Sequence, residues 1–71
     1  LLKKRIYSLT IKEGSPQIKQ SIKNDNGNYG QIISIENNSI LAMLKIELAE
    51  KEINAEKQIK TDGGLVLEFI V

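Results

Sequence analysis

The residues from Ser39 to Lys60 constrain the fold of this chain more than any other stretch, because they form one unbroken run of helix formers with two apolar stripes. At about 100° per residue, Leu41, Leu44, Leu48, Ala55 and Ile59 gather on one side of a helical cylinder. Ala42, Ile46, Ala49 and Ile53 form a second line at 4-3-4 spacing, the pattern of a two-heptad helix–helix seam. A helix resting on one sheet needs only one such stripe. The second is expected to be an oligomer interface, with a second copy of this chain as its partner. Leu44-Lys45-Ile46-Glu47-Leu48 also fits a strand by alternation, but the continuous helix formers up to Ile59 favour the helix.

The residues before this run alternate in period two. From Arg5 to Lys12, Tyr7, Leu9 and Ile11 share one side, and Ser8, Thr10 and Lys12 share the other, as in a half-buried strand. Glu13-Gly14-Ser15-Pro16 interrupts with turn chemistry. Gln17 to Lys23 then resumes the alternation, although Ser15-Pro16 followed by Ile18 and Ile22 would also suit a helix start. The strand is preferred because Asn24-Asp25-Asn26-Gly27-Asn28 carries the Asn-Gly hairpin signal, and Tyr29 to Glu36 supplies a partner strand. That partner places Tyr29, Gln31, Ile33 and Ile35 on one face. Asn38 or Ser39 would cap the long helix, and Asp62-Gly63-Gly64 would end it. Leu65 to Val71 reads as a last strand with apolar residues on both sides, so it is expected to be interior or covered by a neighbour.

The predicted architecture is therefore α+β, a single domain over residues 1–71 in the order βββαβ. It comprises a three-stranded antiparallel meander, one long helix packed on the sheet, and a C-terminal strand returning to that sheet. A 71-residue chain buries only about 60% of its unfolded surface, so it needs help from disulfides, a metal or association. The sequence has no Cys and no His, which removes the first aid and most of the second. Association is left, and a dimer or higher homo-oligomer is expected.

Chemistry is thinly provided. Glu47 with Glu50, and Glu52 with Glu56, are paired carboxylates on a Lys-rich helix, which reads as a solvated face rather than an acid–base pair. The Gly63-Gly64 pair follows a helix instead of preceding one, so it does not match a phosphate-binding loop. No catalytic residue, metal ligand or cofactor is expected. No run approaches the roughly 18 apolar residues of a membrane span, and Leu1-Leu2-Lys3-Lys4-Arg5 lacks the apolar region of a signal peptide. A chain that begins without Met has been processed, trimmed or only partly represented. A cytoplasmic location, in a host or cell interior, is the expectation.

Charge is uneven. Residues 1–24 hold Lys3, Lys4, Arg5, Lys12, Lys19 and Lys23 against Glu13 alone, a balance of +5, whereas residues 25–71 hold four Lys against eight acids, a balance of −4. Those six basic residues are the candidates for contact with nucleic acid along a sheet face. With one Arg and with Tyr7, Tyr29 and Phe69 phased toward the core, the base-reading and base-stacking groups are scarce. The functional expectation is a small non-catalytic module that self-associates and binds a protein partner. It would serve as a regulator, inhibitor or accessory subunit, with a virus, phage or mobile element as its expected source. Nucleic-acid binding is the alternative.

Overall fold

The computed structural model describes residues 3–70. Leu1 and Leu2, and Val71 at the end of the expected last strand, lie outside the described residues. The element order is β1 (Lys4–Glu13), β2 (Ser21–Asn24), β3 (Gly27–Glu36), β4 (Ser39–Lys45), α1 (Ile46–Asn54), β5 (Gln58–Lys60) and β6 (Val66–Phe69). All pairings are antiparallel, and the six strands form one sheet in the order β2-β3-β4-β1-β6-β5. The sheet curls until its outer strands approach each other. Asn24 Nδ2 donates to the Lys60 carbonyl at 2.8 Å, and the Asp62 N–H donates to the Lys23 carbonyl at 3.1 Å. The result is a nearly closed barrel.

This corrects the expected βββαβ meander with one long helix. The helix has nine residues, and Ser39–Lys45 is a central strand paired on both sides. The physical reason lies in β4 itself. Ile40, Ala42 and Leu44 point into the barrel and are buried, while Leu41 and Met43 point out. With apolar residues on both faces, the in–out contrast that marks a strand is erased, and Leu, Ala and Met then bias the reading toward helix. Asn37-Asn38 is a two-residue hairpin loop between the paired Glu36 and Ser39, with Asn37 at φ 53, and not a helix start. Asn serves at both kinds of position, so the residue type does not separate them.

The far end of the helix is also shorter than expected. Lys57 adopts φ 61 and turns its N–H back to the Glu52 carbonyl at 2.8 Å. Ile59 then lies in β5, and Thr61-Asp62-Gly63-Gly64 is the β5–β6 turn, closed by the Thr61 N–H on the Leu65 carbonyl. Gln17–Ile18 form no strand, since β2 begins only at Ser21.

Two irregularities shape β3. Its pairing shifts between Ile22 and Lys23 of β2, and again between its own Ile32 and Ser34 opposite β4. Tyr29 and Ile32 consequently both face inward, three positions apart, and the expected shared face of Tyr29, Gln31, Ile33 and Ile35 is split. Between the shifts sits Gly30, where a Cβ would come within 1.8 Å of the Met43 carbonyl oxygen. Only glycine lets the two backbones approach this closely.

The core fills the barrel with Leu9, Ile22, Tyr29, Ile32, Ile40, Leu44, Ile59 and Leu67, all under 2% exposed or at that limit. Helix α1 covers one end, with Ala49 buried and Leu48 and Ile53 packed against the core. Two phenols fasten it: Tyr29 Oη donates to the Glu52 carboxylate, and Tyr7 Oη to Glu50 Oε2 at 3.3 Å. The radius of gyration is 10.7 Å, close to the roughly 11 Å expected for a compact chain of this length, so the interior is closed by one protomer alone.

Candidate functional site

Because the barrel interior is filled, any binding surface has to be on its outside. Strand alternation decides which residues lie there. On β1 the outward positions are Lys4, Ile6, Ser8, Thr10 and Lys12, since Tyr7 and Leu9 face in. On β4 they are Ser39, Leu41, Met43 and Lys45, with Met43 directly opposite Ile6 and Leu41 opposite Ser8. On β3 the bulge turns Ile33 outward, and Ser34 sits opposite Leu41. At the end of β6, the Ile70 N–H donates to the Ser8 carbonyl, which brings Ile70 beside Ser8.

These positions carry a contiguous apolar belt. The large exposed hydrophobic residues are Ile6, Ile18, Ile33, Leu41 and Ile70, each 41% to 53% exposed. Ile18 joins the belt from the loop before β2, where Ile18, Ile33 and Met43 line an apolar hollow of about 340 Å³. The belt therefore wraps around the outside of four adjacent strands, β3, β4, β1 and β6. Among the described residues nothing covers it.

Charge is arranged at the two ends of this face. At the Lys4 end, Lys4 and Lys45 are direct cross-strand neighbours, and with Lys3 and Glu47 they border an open depression of about 520 Å³. Like charges placed opposite each other weaken a sheet pair. At the other end lie Glu36, opposite Ser39, and Glu68, opposite Thr10. Lys12 Nζ stands 3.9 Å from Glu68 Oε1, the one ion pair among the described residues.

The residues expected to form a helical seam are separated by the fold. Ala42 is on β4 and fully buried, and Ala49 is fully buried on α1. Ile46 and Ile53 are half-buried on α1, with Ile53 against the core. These four do not form one exposed stripe. The six candidate basic residues do not form one track either. Lys3 and Lys4 cluster with Lys45, whereas Lys12, about 27 Å along β1 from Lys4, is engaged by Glu68. Arg5 stacks over the Tyr7 ring at 5.2 Å, Lys19 occupies a turn at φ 69, and Lys23 is on β2.

The two tyrosines are perturbed by their surroundings. Burial holds the Tyr29 phenol above its ordinary value, reinforced by its hydrogen bond to Glu52. Burial likewise raises Tyr7, followed by the nearby Glu50 charge, with Arg5 opposing. Both groups pin the helix, and Tyr29 with Glu52 also lines a depression of about 250 Å³ beside it. Among the described residues no cluster of three or more Asp or Glu is placed to hold a metal ion, and no helix is long and apolar enough to cross a membrane. Comparison with protein-family models, with curated proteins and with solved structures finds no match.

Sequence reasoning missed the belt, yet its signal was present. Ile6 and Ile70 stand in the opposite phase to Tyr7, Leu9, Leu67 and Phe69, so both faces of β1 and β6 carry large apolar groups. The apolar character of both sides of the last strand fits an interior strand or one covered by a neighbour, and β6 is interior, paired with β1 and β5.

Proposed function

We propose that this chain is a small non-catalytic binding module that works inside the cell by self-association through the apolar belt on the outer face of β3, β4, β1 and β6. It acts as a regulator, inhibitor or accessory subunit whose active form is an assembly. The observation that carries this reading is the exposure of Ile6, Ile18, Ile33, Leu41 and Ile70 around the outer surface of the barrel. Scattered exposed apolar residues are ordinary; a contiguous patch rimmed by charge is the mark of an interface.

The magnitude sets the expected strength. Burying the exposed half of each of five side chains contributes about 1 kcal/mol apiece, or about 10 kcal/mol over two copies. With lost rigid-body freedom set at its low value of about 4 kcal/mol, the net is about 6 kcal/mol, a Kd of tens of micromolar. A reversible dimer follows.

The test is light scattering of the purified chain from about 5 µM to 1 mM, a range that brackets such a Kd. The mass should climb from the protomer value of 8.0 kDa toward twice that figure. A constant protomer mass throughout would overturn the proposal. Nucleic acid as the partner draws support only from the Lys3, Lys4 and Lys45 cluster. It would require oligonucleotide binding that falls steeply with salt.

A further inference from the structure

The hydrogen-bond phase of β1 leaves part of its edge without a strand. The Ile46 N–H donates to the Lys3 carbonyl at 2.9 Å, and the Ile11 N–H to the Asn38 carbonyl at 2.6 Å, both in register with the β1–β4 pairing. Main-chain groups alternate in direction along an antiparallel strand. Those of Lys3, Arg5, Tyr7, Leu9 and Ile11 therefore face β4, and those of Lys4, Ile6, Ser8 and Thr10 face the β6 side. The Ile70 N–H on the Ser8 carbonyl, at 3.0 Å, has the same phase. Yet β6 pairs with β1 only from Leu9 onward. The N–H and C=O groups of Lys4 and Ile6 consequently have no main-chain partner among the described residues.

We infer that this edge, Lys4 to Tyr7 of β1, binds an extended acidic segment of a partner protein by strand addition. Two N–H and two C=O groups, spread over about 10 Å, supply the ladder for such a segment. The surroundings set its charge. Lys3, Lys4 and Lys45 border the depression at the start of β1, where Glu47 is the one acid, and Arg5 lies within the edge itself. All four cations are exposed, and none has an ion-pair partner among the described residues. Carboxylates on the added strand would stand opposite Lys4 and Arg5, the cross-strand relation in which unlike charges attract.

The same charges turn away a second copy at this place. Two such edges meeting antiparallel over Lys4, Arg5 and Ile6 would set Arg5 against its own counterpart and gather lysines around it. Basic residues on an open edge guard against pairing between like copies. A nucleic acid answers the charge but not the ladder, since its backbone has no N–H and C=O groups at strand spacing. The inference goes beyond self-association and does not depend on it, because Ile6 alone belongs to both the edge and the belt.

The experiment follows amide hydrogen exchange by NMR, with and without a capped peptide of about six residues, rich in glutamate and carrying valine to face Ile6. In the chain alone, the Lys4 and Ile6 amides should exchange at least about tenfold faster than those of Arg5 and Tyr7, which β4 holds. The peptide should slow both to the range of their neighbours. Peptides N-methylated at alternate residues, or with lysine in place of glutamate, should bind at least about tenfold more weakly. Ile6→Pro removes an edge donor and leaves the β4 ladder intact, so it should lower peptide affinity about fivefold, with circular dichroism reporting the native sheet. The methylated peptide makes the same test without altering the chain. Equal binding of the methylated or the basic peptide would overturn the inference, as would binding that leaves the two amides exposed. Protection that rises with the concentration of the chain alone would assign the edge to a second copy instead. Equal protection by a single-stranded oligonucleotide would assign it to nucleic acid, and either result refutes the acidic strand.

Discussion

Replacing Gly30 with alanine is expected to destabilise the domain severely, and the size of the effect can be worked from the backbone. The added Cβ would lie 1.8 Å from the Met43 carbonyl oxygen, 2.9 Å from its carbon and 3.1 Å from the Leu44 Cα. Carbon and oxygen normally keep about 3.3 Å apart, so β3 and β4 must separate by about 1.5 Å at this point. Every atom struck is backbone, and no rotamer change relieves the contact. β4 is also held on its other side by β1, so it cannot withdraw without breaking that pairing as well. Lost ladder bonds and misplaced core residues together cost about 3–5 kcal/mol. A domain of this length has about 4–10 kcal/mol in total, so the midpoint of thermal unfolding should fall by at least about 15 °C. Gly63→Ala is the internal control, because nothing lies within 4 Å of its Cβ position and its φ is not positive. Circular dichroism melts of the two variants give the comparison. A Gly30→Ala midpoint within about 3 °C of wild type would refute the close approach of β3 and β4 and the barrel built on it.

Ile53→Asp should destabilise the fold by about 2–4 kcal/mol, because Ile53 packs against the core, whereas Ile6→Ser should leave thermal stability within about 0.5 kcal/mol and reduce only association. Urea unfolding paired with scattering separates these outcomes. Tyr29→Phe removes the hydrogen bond from the phenol to Glu52 and should cost about 1 kcal/mol, read from the same urea curves. The chain has two tyrosines, and burial raises both phenols above 10.0 in the fold. The neutral phenol is the form the fold favours, so this stability is complete below about pH 10 and lost as pH climbs through the raised folded values. Tyrosinate absorbance of the native protein should therefore appear only above that pH; ionisation at 10.0 with the fold intact would refute the buried latches.

What could be read from the chain depended on contrast between the two sides of each element. β1 is legible because Tyr7, Leu9 and Ile11 alternate against Ser8, Thr10 and Lys12. β4 is not, because Leu41 and Met43 are as apolar as Ile40 and Leu44, and a strand that is apolar on both faces resembles a helix built from the same residues. The stop at Lys57 carries no residue signature, since a lysine in the left-handed region is held there by its surroundings. In β3 the bulges shift the phase, so the positions of Gln31 and Ile33 follow from pairing with β4 and not from local alternation. The surplus of apolar surface was legible, whereas its location was not. Assigning Ser39–Lys45 to a helix placed the surplus on Ala42, Ile46, Ala49 and Ile53, while strand geometry moves it to Leu41, Met43 and the neighbours of β4.

The central claim is that the outer sheet face, and not α1, is what one copy presents to another. Methyl spectra of isoleucine-labelled protein, recorded over a dilution series, address it residue by residue. The account predicts that the Ile6, Ile33 and Ile70 methyl signals move together with a single Kd in the tens of micromolar, while Ile53 and Ile59 stay fixed. Movement of Ile46 and Ile53 with the outer methyls unchanged, or signals independent of concentration throughout, would contradict it.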